Sequence, residues 1–171
     1  MLVQPILPPQ AHALSALIHR LYPAYFTYLW DDGGAWYLEY AYSPAKLRAE
    51  LEDPQVRYVW AVSNAEPVGY LKLNLDKSLP GEPDPDGLEV ERIYFLPEAA
   101  GRGLGTSLLR YAEAVARERG KRYVWLHVMD SSLASIAFYE KRGFERVGET
   151  RLPFDHMKPI YRRMWQMRKG L

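Results

Sequence analysis

"ERIYFLPEAAGRGLGTSLLRYA", Glu91 to Ala112, leads from an apolar run through three glycines at alternate positions into a helix-like pattern. Leu88 to Leu96 reads as a strand, and beyond the glycines Leu108, Leu109, Ala112, Val115, Ala116 and Arg119 fall at helical spacing. Glu113 and Arg117 form a favourable i,i+4 pair on that helix, and Gly120 suits its C-cap. Tyr123 to Met129 is then a short, nearly continuous apolar strand, Leu133 to Lys141 a helix ended by Gly143, and Phe144 onward strand-like again. A glycine turn between strand and helix offers free backbone N–H groups and the positive end of the helix dipole. Both favour an anion, and neither says which.

Upstream, Leu2 to Ile6 reads as a strand that Pro5 confines to a sheet edge, and Pro8 and Pro9 open a helix carrying Ala13, Leu14, Leu17 and Leu21 up to Pro23. Nine aromatics lie between Tyr22 and Tyr42, interrupted by the turn-like Asp31-Asp32-Gly33-Gly34. Ser43-Pro44 supplies N-cap and first position of a short helix that Asp53-Pro54 closes. Val56 to Ser63 and Val68 to Leu75 form a hairpin around the turn residues Asn64 to Pro67, and Asp76 to Gly87 is a loop. An antiparallel first half followed by strand, glycine turn, helix, strand, helix, strand describes a mixed-sheet α/β fold, one domain over residues 1–171.

With 171 residues, 48% of them hydrophobic, the chain buries one core and falls short of two full domains. A net charge of +1 provides no field for nucleic acid or anionic lipid. The absence of cysteine excludes disulfides and thiolate chemistry, and His12, His19, His127 and His156 stand apart, so no metal is expected. No leader-like segment and no run of ~20 apolar residues is present, so a cytoplasmic, soluble protein is expected.

Gly105-Thr106-Ser107 lacks the lysine that a Walker loop places before Ser/Thr, which argues against ATP. A dinucleotide fingerprint needs glycine at 106, where Thr106 stands, although Asp130 could still serve a ribose; nicotinamide or flavin chemistry is the weaker alternative. A ligand whose phosphates stay intact needs only the backbone cradle, and coenzyme A is one.

At this point the Glu91–Ala112 stretch, together with "ASIAFYEKRGF", resembles the GNAT N-acetyltransferase superfamily, whose loop follows the pattern Arg/Gln-x-x-Gly-x-Gly/Ala and whose later Tyr precedes Gly-Phe. "YLKLN", "KRYVWLHV" and "AFYEKRGFERVGE" are most similar to its bacterial polyamine, PaiA-like branch. The resemblance implies a GNAT fold, a mixed central sheet of about seven strands with a splayed pair, flanked by helices. Acetyl-CoA would lie between the splayed strands, against Ile93, Tyr94 and Phe95. Its pyrophosphate would meet Gly101, Arg102, Gly103, Leu104, Gly105 and Thr106, with Ser132 and Tyr139 as further contacts. Two positions depart from the pattern. Ala100 replaces the usual Arg or Gln, leaving only the backbone part of the cradle, and Ser132 replaces an asparagine.

The chemistry needs a base, because an alkylamine with a pKa near about 10 is charged at neutral pH. Glu89 and Glu91 alternate on one face of the strand beside the expected gap, and either suits the task; pairing with Arg92 or Lys72 is the competing structural role. Tyr139 matches the family's proton donor to the leaving thiolate, against a plain core tyrosine. His127, flanked by Leu126 and Val128, reads as a buried strand histidine with no catalytic role.

Asp76, Glu82, Asp84, Asp86, Glu89 and Glu91 stand against the single Lys77, an acidic rim for a cationic acceptor or simply a solvated loop. The aromatics of Tyr22 to Tyr42 could meet an alkylammonium as well as cover the core. A small amine such as a polyamine is therefore the expected acceptor, with a peptide N-terminus or an acyl-CoA sensor without turnover as alternatives, and a homodimer left open. The basic tail Lys158, Arg162, Arg163, Arg168 and Lys169 reads as a solvated last strand.

Overall fold

The structure, a computed structural model, describes residues 2–82 and 86–171. In chain order its elements are β1 (Leu2–Pro5), α1 (Ala11–Leu21), α2 (Ala35–Tyr42), α3 (Pro44–Glu52), β2 (Val56–Ser63), β3 (Glu66–Asn74) and β4 (Gly87–Phe95). There follow α4 (Leu104–Glu118), β5 (Tyr123–Met129), α5 (Leu133–Glu140), β6 (Glu145–Arg151) and β7 (Arg163–Gly170). The strands make one seven-stranded sheet in the order β1-β2-β3-β4-β5-β7-β6, as the resemblance implies. Only β4 and β5 run parallel.

Strand alternation divides the core between two faces. Tyr58 and Trp60 of β2 pack with Leu14, Ile18 and Leu21 of α1 and Leu47 of α3, while Val59 and Ala61 pack with Leu108, Leu109 and Ala112 of α4. Each fully buried leucine contributes about 1.5–3 kcal/mol relative to an exposed one. The β2–β3 turn is shorter than the sequence predicts. Asn64 (φ 52°) and Ala65 (φ 65°) form it alone, and β3 already begins at Glu66.

One element was not anticipated, and one expectation needs correction. The aromatic stretch holds a helix, α2, which Asp32 starts by accepting hydrogen bonds from the Gly34 (2.8 Å) and Trp36 (2.7 Å) amides. The basic tail does supply the last strand, β7, but it lies between β5 and β6 and not at a solvated edge. Its Met167 is fully buried, and Arg163, Arg168 and Lys169 are paired with Asp130, Glu82 and Glu113.

Candidate active site

The β4–β5 ladder covers only Gly87–Glu89 against Tyr123–Trp125 and then stops. Beyond it β4 stays paired to β3 and β5 to β7, so the two strands part and leave their facing backbone groups without a ladder partner. The cleft of about 210 Å³ between them is bordered by Ile93, Tyr94 and Phe95 from β4, by His127 and Met129 from β5, and by Ser132 and Tyr139 at α5. Tyr139 is 8% exposed, and burial alone pushes its phenol well above the ordinary value, so it remains protonated.

At one end of the cleft the glycine turn starts α4. Gly101 (φ 77°) and Gly103 (φ 74°) adopt left-handed backbone, with open space where their side chains would stand. A Cβ on Gly105 would come within 2.9 Å of Phe138. The first-turn amides of α4 have no partner within the helix and face a hollow of about 290 Å³. Arg102 is exposed and does not line this hollow. The cation that does is Arg142, which the sequence reading passed over. Its guanidinium stacks 3.6 Å from the Phe138 ring centroid, donates to the Phe138 carbonyl (2.8 Å), and donates from Nε to Thr106 Oγ1 (3.1 Å). It lies just beyond α5, so only the folded chain brings it to the position that Ala100 leaves without charge.

At the other end β4 bulges: Lys72 pairs with Arg92 and Leu73 with Val90, and Glu91 has no residue opposite. Glu89, Glu91, Arg92 and Tyr94 consequently all border one pocket, whereas Val90, Ile93 and Phe95 join the core beneath α4. Asn74 Nδ2 donates to both glutamates. Glu89, 2% exposed, is held by Lys77 (2.8 Å) and faces His127 Nδ1 at 3.5 Å. Glu91 meets Lys72 (2.9 Å) and Arg92 (3.2 Å), and both of these cations also reach Glu50 (3.0 and 3.5 Å). Burial would raise both carboxyls, but the charges of Arg92 and Lys72 outweigh it at Glu91 and hold it at about 2; hydrogen bonds from His127 and Lys77 lower Glu89.

The pocket above these groups, about 180 Å³, is walled by Tyr22, Phe26, Trp30, Tyr37, Phe154 and Met157. Its aromatic side is the Tyr22–Tyr42 stretch, clasped by the β6–β7 connection through Lys158 N to Leu29 O (2.9 Å) and Asp31 N to His156 O (3.2 Å). Glu91, Tyr94, His127 and Met129 border both pocket and cleft, so the two cavities abut. His127, read from sequence as a bystander, lies at that junction.

Among the described residues, Asp76, Glu82, Glu89 and Glu91 of the expected acidic rim are all paired with cations. Asp76 pairs with Arg119 (2.8 Å) and Lys121 (2.7 Å), and Glu82 with Arg168 (2.7 Å); Asp84 lies outside the described residues. Asp130, the candidate ribose acid, is tied to Arg163 (2.8 Å). Among the described residues no group of three or more His, Asp or Glu could hold a metal, and no helix is long and apolar enough to cross a membrane.

Residues 16–144 match the model of the acetyltransferase (GNAT) family. The chain is 37% identical over 113 residues, 66% of its length, to an uncharacterized N-acetyltransferase from the pepI 3′ region of Lactobacillus delbrueckii subsp. lactis. It is 38% identical over 105 residues, 61% of its length, to the N-alpha-acetyltransferase RimI of Mycobacterium tuberculosis. These matches span 65% and 62% of the two relatives' own lengths. The PaiA N-acetyltransferase of Thermoplasma acidophilum, solved in complex with coenzyme A, superposes with a TM-score of 0.76 over all of both chains at 17% identity, a likeness of fold.

Proposed function

The chain belongs to the acetyltransferase (GNAT) family, and from that premise we propose that it moves an acetyl group from acetyl-CoA to a primary amine of a small acceptor by direct attack. The observation that carries this reading is the continuity of the spaces: a shallow cavity bordered by Ile93, Phe95, Gly105, Phe138 and Tyr139 joins the glycine hollow to the splayed cleft, and the cleft abuts the aromatic pocket, the order that pyrophosphate, pantetheine and acceptor require. Acetyl-CoA supplies the activated acyl carbon. Gly101, Gly103, Gly105 and Thr106 suit its pyrophosphate, and Arg142 contributes the cation missing at position 100. The expected polyamine acceptor rests on the PaiA-like resemblance, with Asp76 and Glu82 of the expected rim already paired to cations, and a peptide amine is suggested by RimI.

The two glutamates take different parts in this reading. A carboxyl held at about 2 is a poor proton acceptor, so Glu91 anchors the incoming ammonium by charge. An imidazole nitrogen can take up a proton, and His127, oriented by Glu89, accepts the amine's proton at the junction. As the C–N bond forms and the C–S bond breaks, Tyr139 donates to the departing sulfur and is reprotonated from solvent. The balance is an ammonium and a thioester giving an amide, a thiol and one released proton.

Amine-dependent release of free thiol from acetyl-CoA tests the proposal; binding of acetyl-CoA without such release would favour the sensor alternative. In that assay Arg142→Ala should raise the KM for acetyl-CoA about tenfold with kcat retained, the loss of one charge-assisted contact. His127→Gln should lower kcat about 100-fold with little change in the KM for acetyl-CoA, whereas Glu91→Gln should raise the amine KM with kcat largely retained. A kcat unchanged by His127→Gln returns the base to the glutamates.

A further inference from the structure

We infer that the acceptor is a primary monoamine carrying an aromatic or branched apolar body, a deeper specification that rests on the acetyl-transfer reading above. Charge comes first. The charged groups bordering the pocket beside the cleft are Glu89, Glu91 and Arg92, and behind them Lys77 pairs with Glu89 and Lys72 with Glu91 and Glu50, so the carboxylates there are already matched by cations. One ammonium can approach there and lose its proton to His127. The rest of the lining has no charged group: it consists of Tyr22, Phe26, Trp30, Tyr37, Phe154 and Met157 with their apolar neighbours.

The tyrosines offer no anion, since burial raises the phenols of Tyr22, Tyr37, Tyr42 and Tyr94 and keeps them neutral. The Trp30 indole N–H is already donated to Tyr22 (2.6 Å), and Tyr42 already carries the Arg92 guanidinium 4.7 Å from its ring centroid. A second ammonium, three or four carbons from the first, would therefore lie among aromatic and thioether groups. Ring faces return part of its lost hydration by cation–π attraction, but a buried charge without a counterion loses more than that.

Size agrees with the charge argument. An apolar cavity of about 150 Å³ accepts benzene, and this pocket offers about 180 Å³. That is room for one ring or a branched C4–C5 chain with its amine at the cleft, and too little for an aminoglycoside or a long polyamine to be enclosed.

The unaltered protein with saturating acetyl-CoA, followed by free-thiol release, tests this with 2-phenylethylamine, 3-methylbutylamine, butylamine, putrescine, spermidine and an alanine-initiated peptide. Butylamine and putrescine have the same chain and differ by one ammonium. The expected result is kcat/KM at least about 100-fold higher for butylamine than for putrescine, with phenylethylamine and methylbutylamine above both. Phe154→Glu, which sets a carboxylate at the apolar side, should narrow the butylamine–putrescine gap. Putrescine, spermidine or the peptide equal to or better than the monoamines would overturn the inference while leaving acetyl transfer intact. Thiol release with none of the amines would overturn both.

Discussion

Lys72→Met should unfold at a temperature of the order of 10 °C below that of the parent protein. The Lys72 ammonium is 6% exposed, ion-paired to Glu50 at 3.0 Å and Glu91 at 2.9 Å, and sits over the Tyr58 ring. Removing it leaves Glu91 paired to Arg92 and Glu50 to Arg92 and the more distant, exposed Lys46 (3.8 Å). Breaking such a buried set by deleting one partner costs about 3–5 kcal/mol, and in a chain of this size each kcal/mol moves the midpoint by roughly 2–4 °C. The pH dependence carries a second signature. Glu91 titrates at about 2 in the folded protein against an ordinary 4.5, so it adds stability above pH 4.5 that is lost as pH falls towards 2. In the variant that carboxyl rises, and the acid dependence should flatten. Urea unfolding between pH 3 and 7 measures both quantities; a loss below about 1 kcal/mol with unchanged acid dependence would show the network to be structurally idle. Adding Glu91→Gln to the variant should recover part of the loss, because it removes the carboxylate left in excess.

The sheet was readable because its signals are local. Tyr123–Met129 is a run of apolar and β-branched residues between turn residues, and the glycine turn marks where β4 gives way to α4. The bulge was equally present in the sequence, though unread: in Leu88-Glu89-Val90-Glu91-Arg92-Ile93-Tyr94-Phe95 the core positions change from 88 and 90 to 93 and 95. A change of phase across two adjacent charged residues is what one extra residue in a strand produces. It brings Arg92 beside Glu91 and so makes the latter a charge anchor. Other features had no local signal. The α2 segment is aromatic on nearly every side, so it shows no helical apolar stripe, and its start depends on the Asp32 carboxylate reaching forward to two amides. Asp76 and Glu82 looked unbalanced because their partners Arg119, Lys121 and Arg168 are distant in sequence. Arg142 likewise reaches the glycine hollow by tertiary packing, through the Phe138 ring that Gly105 leaves room for.

Tyr139→Phe should lower kcat by about 100-fold while leaving the KM for acetyl-CoA within about twofold, the size of effect attached to losing a positioned proton donor. The ring itself is structural: it lies 5.2 Å from Phe138 and 5.7 Å from Phe144, centroid to centroid, and phenylalanine keeps those contacts. The hydroxyl is different. Burial alone accounts for its raised pKa, with no stabilising hydrogen bond contributing, so the fold gains nothing from the oxygen and the variant should be at least as thermally stable. Because burial also keeps the phenol protonated, it should contribute no alkaline limb to the rate profile near neutral pH, and the pH dependence of the rate should survive the substitution unchanged. Leaving-group dependence separates a donor from a filler. Acyl donors whose thiol is more acidic need less help on departure, so the deficit should shrink with an activated aryl thioester and persist with acetyl-CoA. Equal kcat in variant and parent, at equal melting temperature, would reduce Tyr139 to a wall of the cleft and leave the thiolate to depart unaided.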